Sequence, residues 1–546
     1  MITSRGLRAS PVVQCRIADA RGAGHDVPQF WLTVRRSLHV LVLLVVVVLG
    51  PGGLSIARGQ TPAGQMTLVY NISIVPRWFD PAESEGLVTP FIFYYAIHDA
   101  LVKPMPGNAS APCLAESWTV SPDGLTYEFV LRKNAHFHNG ETVTADDVKF
   151  SFERYRGASA KTLKDHVASV EIVDPLRVRF RLKRPWPDFM TFYASPATGA
   201  AWIVPKKYVE KVGDEGFKKA PIGAGPYKVV GFKPGVEVTL EAHEQFWRKT
   251  PSVKTLLLRS IPDESVRLAM LKRGEADVGY VFRGALAEEL RRTPGLTLKP
   301  YYLALPVWYV FTEQWDPKSP WADRRVRLAA NLAIDRQAVN QAETLGLSKL
   351  TASIIPQNFE FSWPAPLYPF DQKRARQLLT EAGYPNGFDA GTITVDLANA
   401  SFAEAVTSYF GAVGIRANVR PMERGAFFKE YGDKRLKPIV QSTSAAFGNA
   451  ATRLDAFVAS GGLFTYGTYP DIEDLVQRQA MEMDRTKREK LLHQAQQLIH
   501  EKVMYAPLLE LANVAGYGPR VAESAVGLIP YMSSSAPYEE LRLKAK

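Results

Sequence analysis

The sequence predicts a mixed α/β protein whose domains are interleaved along a single chain. Three observations lead there. Strand-like and helix-like stretches alternate without a fixed-period repeat, which excludes solenoids and propellers. No Ser/Gly linker divides the chain. Finally, 546 residues with 46% hydrophobic and 11% aromatic content exceed what one core organises, so two or three domains are expected.

The clearest local structure runs from Leu114 to Tyr155. Ser121-Pro122-Asp123-Gly124 has the chemistry of a tight turn, with Gly124 free to take positive φ. After it, Leu125, Tyr127, Phe129 and Leu131 alternate with Thr126, Glu128, Val130 and Arg132, the period of a half-buried strand. Asn139-Gly140 supplies a second turn. Thr144 precedes Asp147 by three residues, a capping-box pattern, and Val148, Phe152 and Tyr155 share one helical face. Further on, Val170 to Leu182 reads as paired strands about Asp174-Pro175, and Val236 to Glu241 as another strand. Glu264 to Lys272 and Arg283 to Arg292 read as helices, with a short buried strand at Ala276 to Tyr280 between them.

The order and residues of the Leu114–Tyr155 stretch resemble the signature region of family 5 extracytoplasmic solute-binding proteins, the peptide- and nickel-binding receptors of ABC importers. Four more stretches resemble family landmarks, in family order. They are Pro221 to Lys228 (PIGAGPYK), Asp323 to Asp335 (DRRVRLAANLAID), Lys373 to Phe388 (KRARQLLTEAGYPNGF) and Arg488 to Pro507 (REKLLHQAQQLIHEKVMYAP). The resemblance implies a periplasmic-binding-protein type, two-lobed Venus-flytrap fold with the extra domain of dipeptide- and oligopeptide-binding proteins. It implies domain I from residues 60–103, 217–305 and 505–546, domain II from 104–216, and a large ligand lobe, domain III, from 306–504. The lobes would close by a hinge near Tyr301 to Pro306 and Pro507 to Ala512. The implied function is capture of a peptide or peptide-like solute and its delivery to the membrane permease subunits of an ABC importer. No cofactor, no catalytic residue and a monomeric state are expected.

Before the first landmark, Leu38 to Leu49 is apolar except for His39 and follows Arg35 and Arg36. Twelve residues span about 18 Å as a helix, too short for a hydrocarbon core of about 30 Å. With small residues at Ala57 and Gly59, the segment 1–59 reads as a signal peptide cleaved near Gly59, releasing a periplasmic protein. A retained membrane anchor is the alternative. The net charge of +11 falls to +6 after cleavage, because residues 1–59 carry seven arginines and two aspartates. That excess is spread out, a solvated basic surface rather than a nucleic-acid interface. Cys113 is left without a partner cysteine and reads as a small buried apolar residue.

Catalytic motifs are sparse. The chain has no G-x-S-x-G elbow, no H-E-x-x-H and no C-x-x-C, and Gly223-Ala224-Gly225 lacks the third glycine of a dinucleotide loop. His136 and His138 would face the same side of a strand, as a metal pair needs. No third ligand is near, so no metal site is expected.

The resemblance places the solute site in a stretch of domain III where an aromatic residue is followed by an aspartate that pairs with a peptide's α-amino group. Here that run is Ser444 to Arg453, with Phe447, Gly448 and Asn449 at its centre and Arg453 near an acidic solute group. Asn449 stands in place of the aspartate. An amide accepts from an ammonium group without neutralising it, so aspartate at 449 is expected to strengthen free-amine binding. Trp78 and Phe79, beside Asp80-Pro81, and Trp308 and Phe311, after the hinge crossing, are the candidate aromatic walls. Two alternatives stand beside the peptide receptor. One is the same receptor class for a sugar or an opine-like compound; the other is a secreted hydrolase with an unfamiliar site.

Overall fold

The structure, a computed structural model, describes residues 61–545 except 85–88, 195–197, 444–447, 531 and 533. The segment read as a signal peptide and the candidate wall residue Phe447 lie outside the described residues.

The frame is one large sheet. Its strands, in chain order, are β1 (Ala63–Tyr70), then β6 (Tyr227–Lys233), β7 (Glu237–Ala242), β8 (Val253–Ser260), β9 (Val278–Tyr280), β10 (Thr297–Phe311), β11 (Phe388–Asp396), β12 (Ile415–Met422), β13 (Ile439–Thr443) and β14 (Tyr505–Tyr517). The numbers between belong to a separate four-stranded sheet: β2 (Ala115–Val120), β3 (Thr126–Leu131), β4 (Val167–Asp174) and β5 (Arg177–Leu182). The large sheet runs β6-β7-β8-β1-β9-β14-β10-β13-β11-β12, with Lys349–Leu350 also against β14. On one side β1 is parallel to β8 and β9; on the other, β11 is parallel to β12 and β13. The long antiparallel pair β10 and β14 joins the two halves. Its ladder runs from Thr297↔Tyr517 to Tyr302↔Ala512, breaks, and resumes at Pro306↔Glu510. Ala304, inside the break, has φ +53°, the left-handed region that non-glycine residues adopt at a cost. The break falls on the two stretches expected to form a hinge.

The helices used below are α1 (Thr89–Ile97), α2 (Ala145–Arg154), α3 (Phe189–Tyr193), α4 (Arg324–Ala333), α5 (Ala450–Phe457) and α6 (Arg485–Glu501). The signature stretch folds as its pattern predicts. Gly124 (φ +68°) closes the β2–β3 turn by donating to the Ser121 carbonyl at 2.8 Å. Tyr127, Phe129 and Leu131 are buried on one face of β3. The Thr144 N–H donates to Asp147 Oδ2 at 2.9 Å, and the Thr144 hydroxyl to the same oxygen at 2.7 Å.

Other landmarks prove to be joints. Gly225 lies so close to the end of α1 that a Cβ would meet the Ile97 carbonyl carbon at 2.6 Å. Arg327, in the helix of the third landmark, is fully buried and donates to four carbonyls, those of Trp321, Ala322, Lys502 and Val503, at 2.7–3.0 Å. Arg336 donates to Pro507 O at 2.8 Å. These arginines tie the chain entering β14 to the helix that precedes it in space. Burial lowers the Arg336 guanidinium to about 10, still protonated at neutral pH.

The buried core divides where the β10 ladder breaks. Tyr301 belongs to a core shared with β1, α1 and the four-stranded sheet. Beyond the break, side chains separate by the two-residue period of a strand. Val307, Tyr309 and Phe311 enter one core, and Trp308 and Val310 another on the opposite face.

Candidate ligand-binding site

The parallel strands β11 and β13 place the carboxyl end of β13, at Thr443, beside the crossing pair. Open α/β sheets offer ligand sites outside such strand ends. The chain returns at Gly448, whose φ of +113° is open to glycine and strained for other residues, and a Cβ there would meet the Thr452 side chain at 2.5 Å. Asn449 follows as the N-cap of α5. Its side-chain oxygen accepts from Thr452 N at 3.2 Å, and Thr452 Oγ1 donates to Asn449 O at 2.9 Å.

On the sheet side, Trp308 is opposite Ser442 in register and carries its ring, wholly buried, toward α5. The Arg453 guanidinium, one helical turn beyond Asn449, lies 5.3 Å from the Trp308 ring centre and 5.1 Å from that of Phe457. Burial lowers it to about 9, with Tyr431 and Glu510 opposing. Glu510, on β14, accepts from Gln357 N through Oε2 at 3.2 Å. Its Oε1, Trp308 Nε1, Thr443 Oγ1 and the Tyr301 hydroxyl are buried without a hydrogen-bond partner among the described residues. Buried polar atoms are normally paired; these four fall on three adjacent strands at the crossing.

A cleft of about 720 Å³ opens between the 104–194 region and the far lobe, with Met105, Tyr127, Met190, Phe361, Gly448 and Arg488 among its walls. Across it runs a contact the sequence did not foretell. Asn449 Nδ2 donates to Asp188 Oδ1 at 2.8 Å and to Thr191 Oγ1 at 3.3 Å. Arg488 donates to Asp188 Oδ2 at 2.6 Å and to Gln479 Oε1 at 3.0 Å.

Of the candidate residues, Gly448, Asn449, Arg453 and Trp308 come together. Trp78, Phe79 and Phe311 do not join them. Phe311 is on the opposite face of β10, stacked on Trp321 at 4.4 Å, because residues three apart on a strand point opposite ways. Phe79 is wholly buried edge-on to Phe93 and Phe232. Trp78 is half-buried, stacked on Phe93 at 6.0 Å. Both sit in the core beneath α1, a different cluster from the one that holds Trp308. Asp80, beside them, is held by Arg154 at 2.7 and 2.5 Å. His138 receives the Gly223 N–H at Nδ1 (3.3 Å) and contacts Gly225 O through Nε2 at 3.1 Å, so it anchors that turn, while His136 is exposed. Among the described residues no group of three metal-ligating side chains is assembled.

Comparison with known proteins decides the class. Residues 110–464 match the family described as "Bacterial extracellular solute-binding proteins, family 5 Middle". The chain belongs to family 5 of the extracellular solute-binding proteins. Heme-binding protein A of Haemophilus influenzae is 27% identical over 496 residues, covering 83% of this chain and 89% of that one. The glutathione-binding protein GsiB of Escherichia coli is 30% identical over 425 residues, covering 72% and 80%. The periplasmic binding protein DppA of Helicobacter pylori, solved with the peptide STSA, superposes with a TM-score of 0.66 at 25% identity, covering 88% and 98%. Family 5 proteins are extracytoplasmic substrate-binding components of transporters, so the two-lobed architecture and the receptor class follow for this chain. No helix among the described residues is long and apolar enough to cross a membrane.

The residues missed from sequence, Asp188, Thr191, Arg488 and Glu510, carried only local signals. Asp188 reads as a cap before a short aromatic helix, and nothing in Pro185-Trp186-Pro187-Asp188 says which distant residue its carboxylate meets.

Proposed function

We propose that this protein captures a peptide or peptide-like solute between its lobes, at the crossing of β10, β13 and β14, without chemical change, and hands it to the permease of an ABC importer. The observation that carries the peptide reading is a pair of opposite charges buried at the crossing of β10, β13 and β14. Glu510 has one carboxylate oxygen without a partner among the described residues, and Arg453 lies over Trp308 in the same buried neighbourhood. A zwitterionic chain needs both signs and an apolar wall between them. In this reading Glu510, rather than Asn449, receives the solute ammonium group, with Trp308, Gly448 and Arg453 around it. The names of the relatives agree in part: GsiB is a glutathione-binding protein, the Helicobacter protein was solved in complex with the peptide STSA, and heme-binding protein A is named for heme.

We further propose the division into domain I (60–103, 217–305, 505–546), domain II (104–216) and domain III (306–504), supported by the enclosed four-stranded sheet and by the separation of cores along β10. The mature chain is periplasmic and monomeric, with residues 1–59 removed near Gly59. One preparation tests these points together: protein expressed with its leader, recovered from the periplasm and weighed intact under native conditions. The expected result is a monomer starting near Gly59 with a peptide bound at one per chain and released unaltered. A membrane-embedded full-length chain refutes the processing, and turnover of the bound molecule refutes the receptor.

A further inference from the structure

The sites of a two-lobed receptor are usually sought on the two surfaces that touch solute. The contact across the cleft at Asp188 involves neither surface alone. Asp188 stands at the N-cap of α3, the position where an aspartate side chain ordinarily accepts from its own helix; here it makes no such bond. Both carboxylate oxygens are turned outward, to partners 261 and 300 residues away in sequence. Asn449 caps α5 and Arg488 lies in the first turn of α6, so one carboxylate joins the starts of two helices of the 306–504 segment. The ion pair is nearly excluded from water, with side-chain exposures of 4% for Arg488 and 9% for Asp188. Arg488 is further fixed by Gln479 and by the face of Phe361, 5.5 Å away. Asn449 is fixed by Thr452 and, through the next residue, by the Ala450 N–H donated to Glu360 O at 3.0 Å.

We propose that Asp188 is a positioning residue of the solute cleft, a latch by which the 104–216 segment takes part in closing the far lobe and sets Asn449 and Arg488 at the rim. The geometry says what each partner does. Asn449 has both ends of its amide committed, the oxygen to its own helix and the nitrogen to Asp188, so it shapes the rim and leaves solute contact to its neighbours. Arg488 neutralises the carboxylate as the cleft shuts, since an isolated carboxylate taken out of water is costly. An apolar residue at 188 would leave the Arg488 cation in the same position without its counter-charge. The proposal rests on the reading of this chain as a receptor that closes, but its test needs no solute of known identity.

The test is hydrogen exchange on the mature protein as it leaves the periplasm, compared with Asp188→Ser and Arg488→Met. Serine caps helices about as well as aspartate, so the first variant removes the latch and spares α3. The expected result is at least tenfold faster exchange at 450–457 and 485–490 in Asp188→Ser, although the substitution lies in the other segment. The same pattern is expected in Arg488→Met at 189–193. X-ray scattering of both should show a less compact particle, while the exchange of the β2–β5 sheet stays unchanged. Faster exchange confined to 189–193 in Asp188→Ser would mean a local cap and overturn the proposal, and so would unchanged exchange in both variants. Loss of protection throughout the β2–β5 sheet would assign Asp188 to folding and overturn it as well. Failure to find a bound peptide leaves this result untouched, so the latch and the peptide reading fail separately.

Discussion

Replacing Asn449 by aspartate separates two accounts of the cleft. The resemblance alone implies a gain, since a carboxylate there would neutralise a peptide's ammonium group. The structure reverses that expectation, because the Asn449 amide nitrogen lies 2.8 Å from Asp188 Oδ1. Asn449→Asp therefore sets two carboxylates about 3 Å apart in a water-poor contact. At an effective dielectric constant of about 20 their repulsion is roughly 6 kcal/mol. Proton uptake limits the damage. Protonating a carboxyl of ordinary pKa near 3.9 costs about 4 kcal/mol at pH 7, and Arg488 offsets part of the repulsion. A net loss of about 2–4 kcal/mol in closing corresponds to roughly 30- to 1,000-fold in affinity. Because a shared proton relieves it, the loss should shrink about tenfold for each pH unit between 7 and 4. Calorimetry with trialanine and N-acetyl-trialanine at pH 7.5 and 5.0 reads all of this. Both ligands should lose alike at pH 7.5 and recover at 5.0. Combining Asn449→Asp with Asp188→Asn should restore most of the affinity. A single variant that binds trialanine more tightly while N-acetyl-trialanine is unaffected would refute the reasoning, and would make position 449 an ammonium anchor.

Two further outcomes follow from buried groups away from the cleft. His98 is fully enclosed, touching Phe79 O through Nε2 at 2.8 Å, and burial lowers it from 6.5 to about 4. The unfolded chain thus takes up a proton below pH 6.5 that the folded one refuses until about 4, so stability falls across that window by about 3 kcal/mol; melting temperatures from pH 7.5 to 4 should show His98→Gln with the shallower slope, and parallel curves would exclude the effect. Arg327→Met strands four carbonyls and should cost at least about 4 kcal/mol at roughly 1 kcal/mol each, read from denaturant midpoints; a change under about 1 kcal/mol would show that water replaces the guanidinium.

Much of the frame was legible because its signals are local. The Ser121–Gly124 turn, the alternation along β3 and the Thr144/Asp147 capping box each specify their element within a few residues, and the structure has them all. The landmark order disclosed the interleaving, and the hinge stretches coincide with the break in the β10–β14 ladder. The site was legible only in part. Gly448, Asn449 and Arg453 share one short run, and Trp308 meets them because β10 pairs with β13. Strand parity separates two of the aromatic candidates: Trp308 and Phe311 differ by three and face opposite cores. Phe79 packs instead against Phe93 and Phe232, contacts that its local sequence does not specify. Asp188 was beyond reach for a different reason. Its partners are 261 and 300 residues away, and a contact between segments so far apart leaves no periodicity in either.

That last point bears on why a receptor would join its lobes through a buried ion pair rather than an apolar patch. Apolar surface closes on itself whether or not solute is present, since its burial is favourable at about 25 cal/mol per Å². A receptor shut without cargo excludes its cargo. An ion pair behaves otherwise: the cost of desolvating Asp188 and Arg488 roughly cancels their attraction, so the contact adds geometry with little net drive. The proposed hinge lies where the β10–β14 ladder is broken, between Tyr302 and Pro306. Closing is then close to balanced, and the solute tips it by its own preference for the shut cleft, about 2.7 kcal/mol at a hundred times its dissociation constant. The partnerless polar atoms on Tyr301, Trp308, Thr443 and Glu510 work in the same direction. Left dry and unpaired they oppose closure, and a solute that hydrogen-bonds them removes the opposition. On the proposed function, selectivity and motion then depend on the same few atoms: a molecule that fails to pair with them also fails to hold the lobes together.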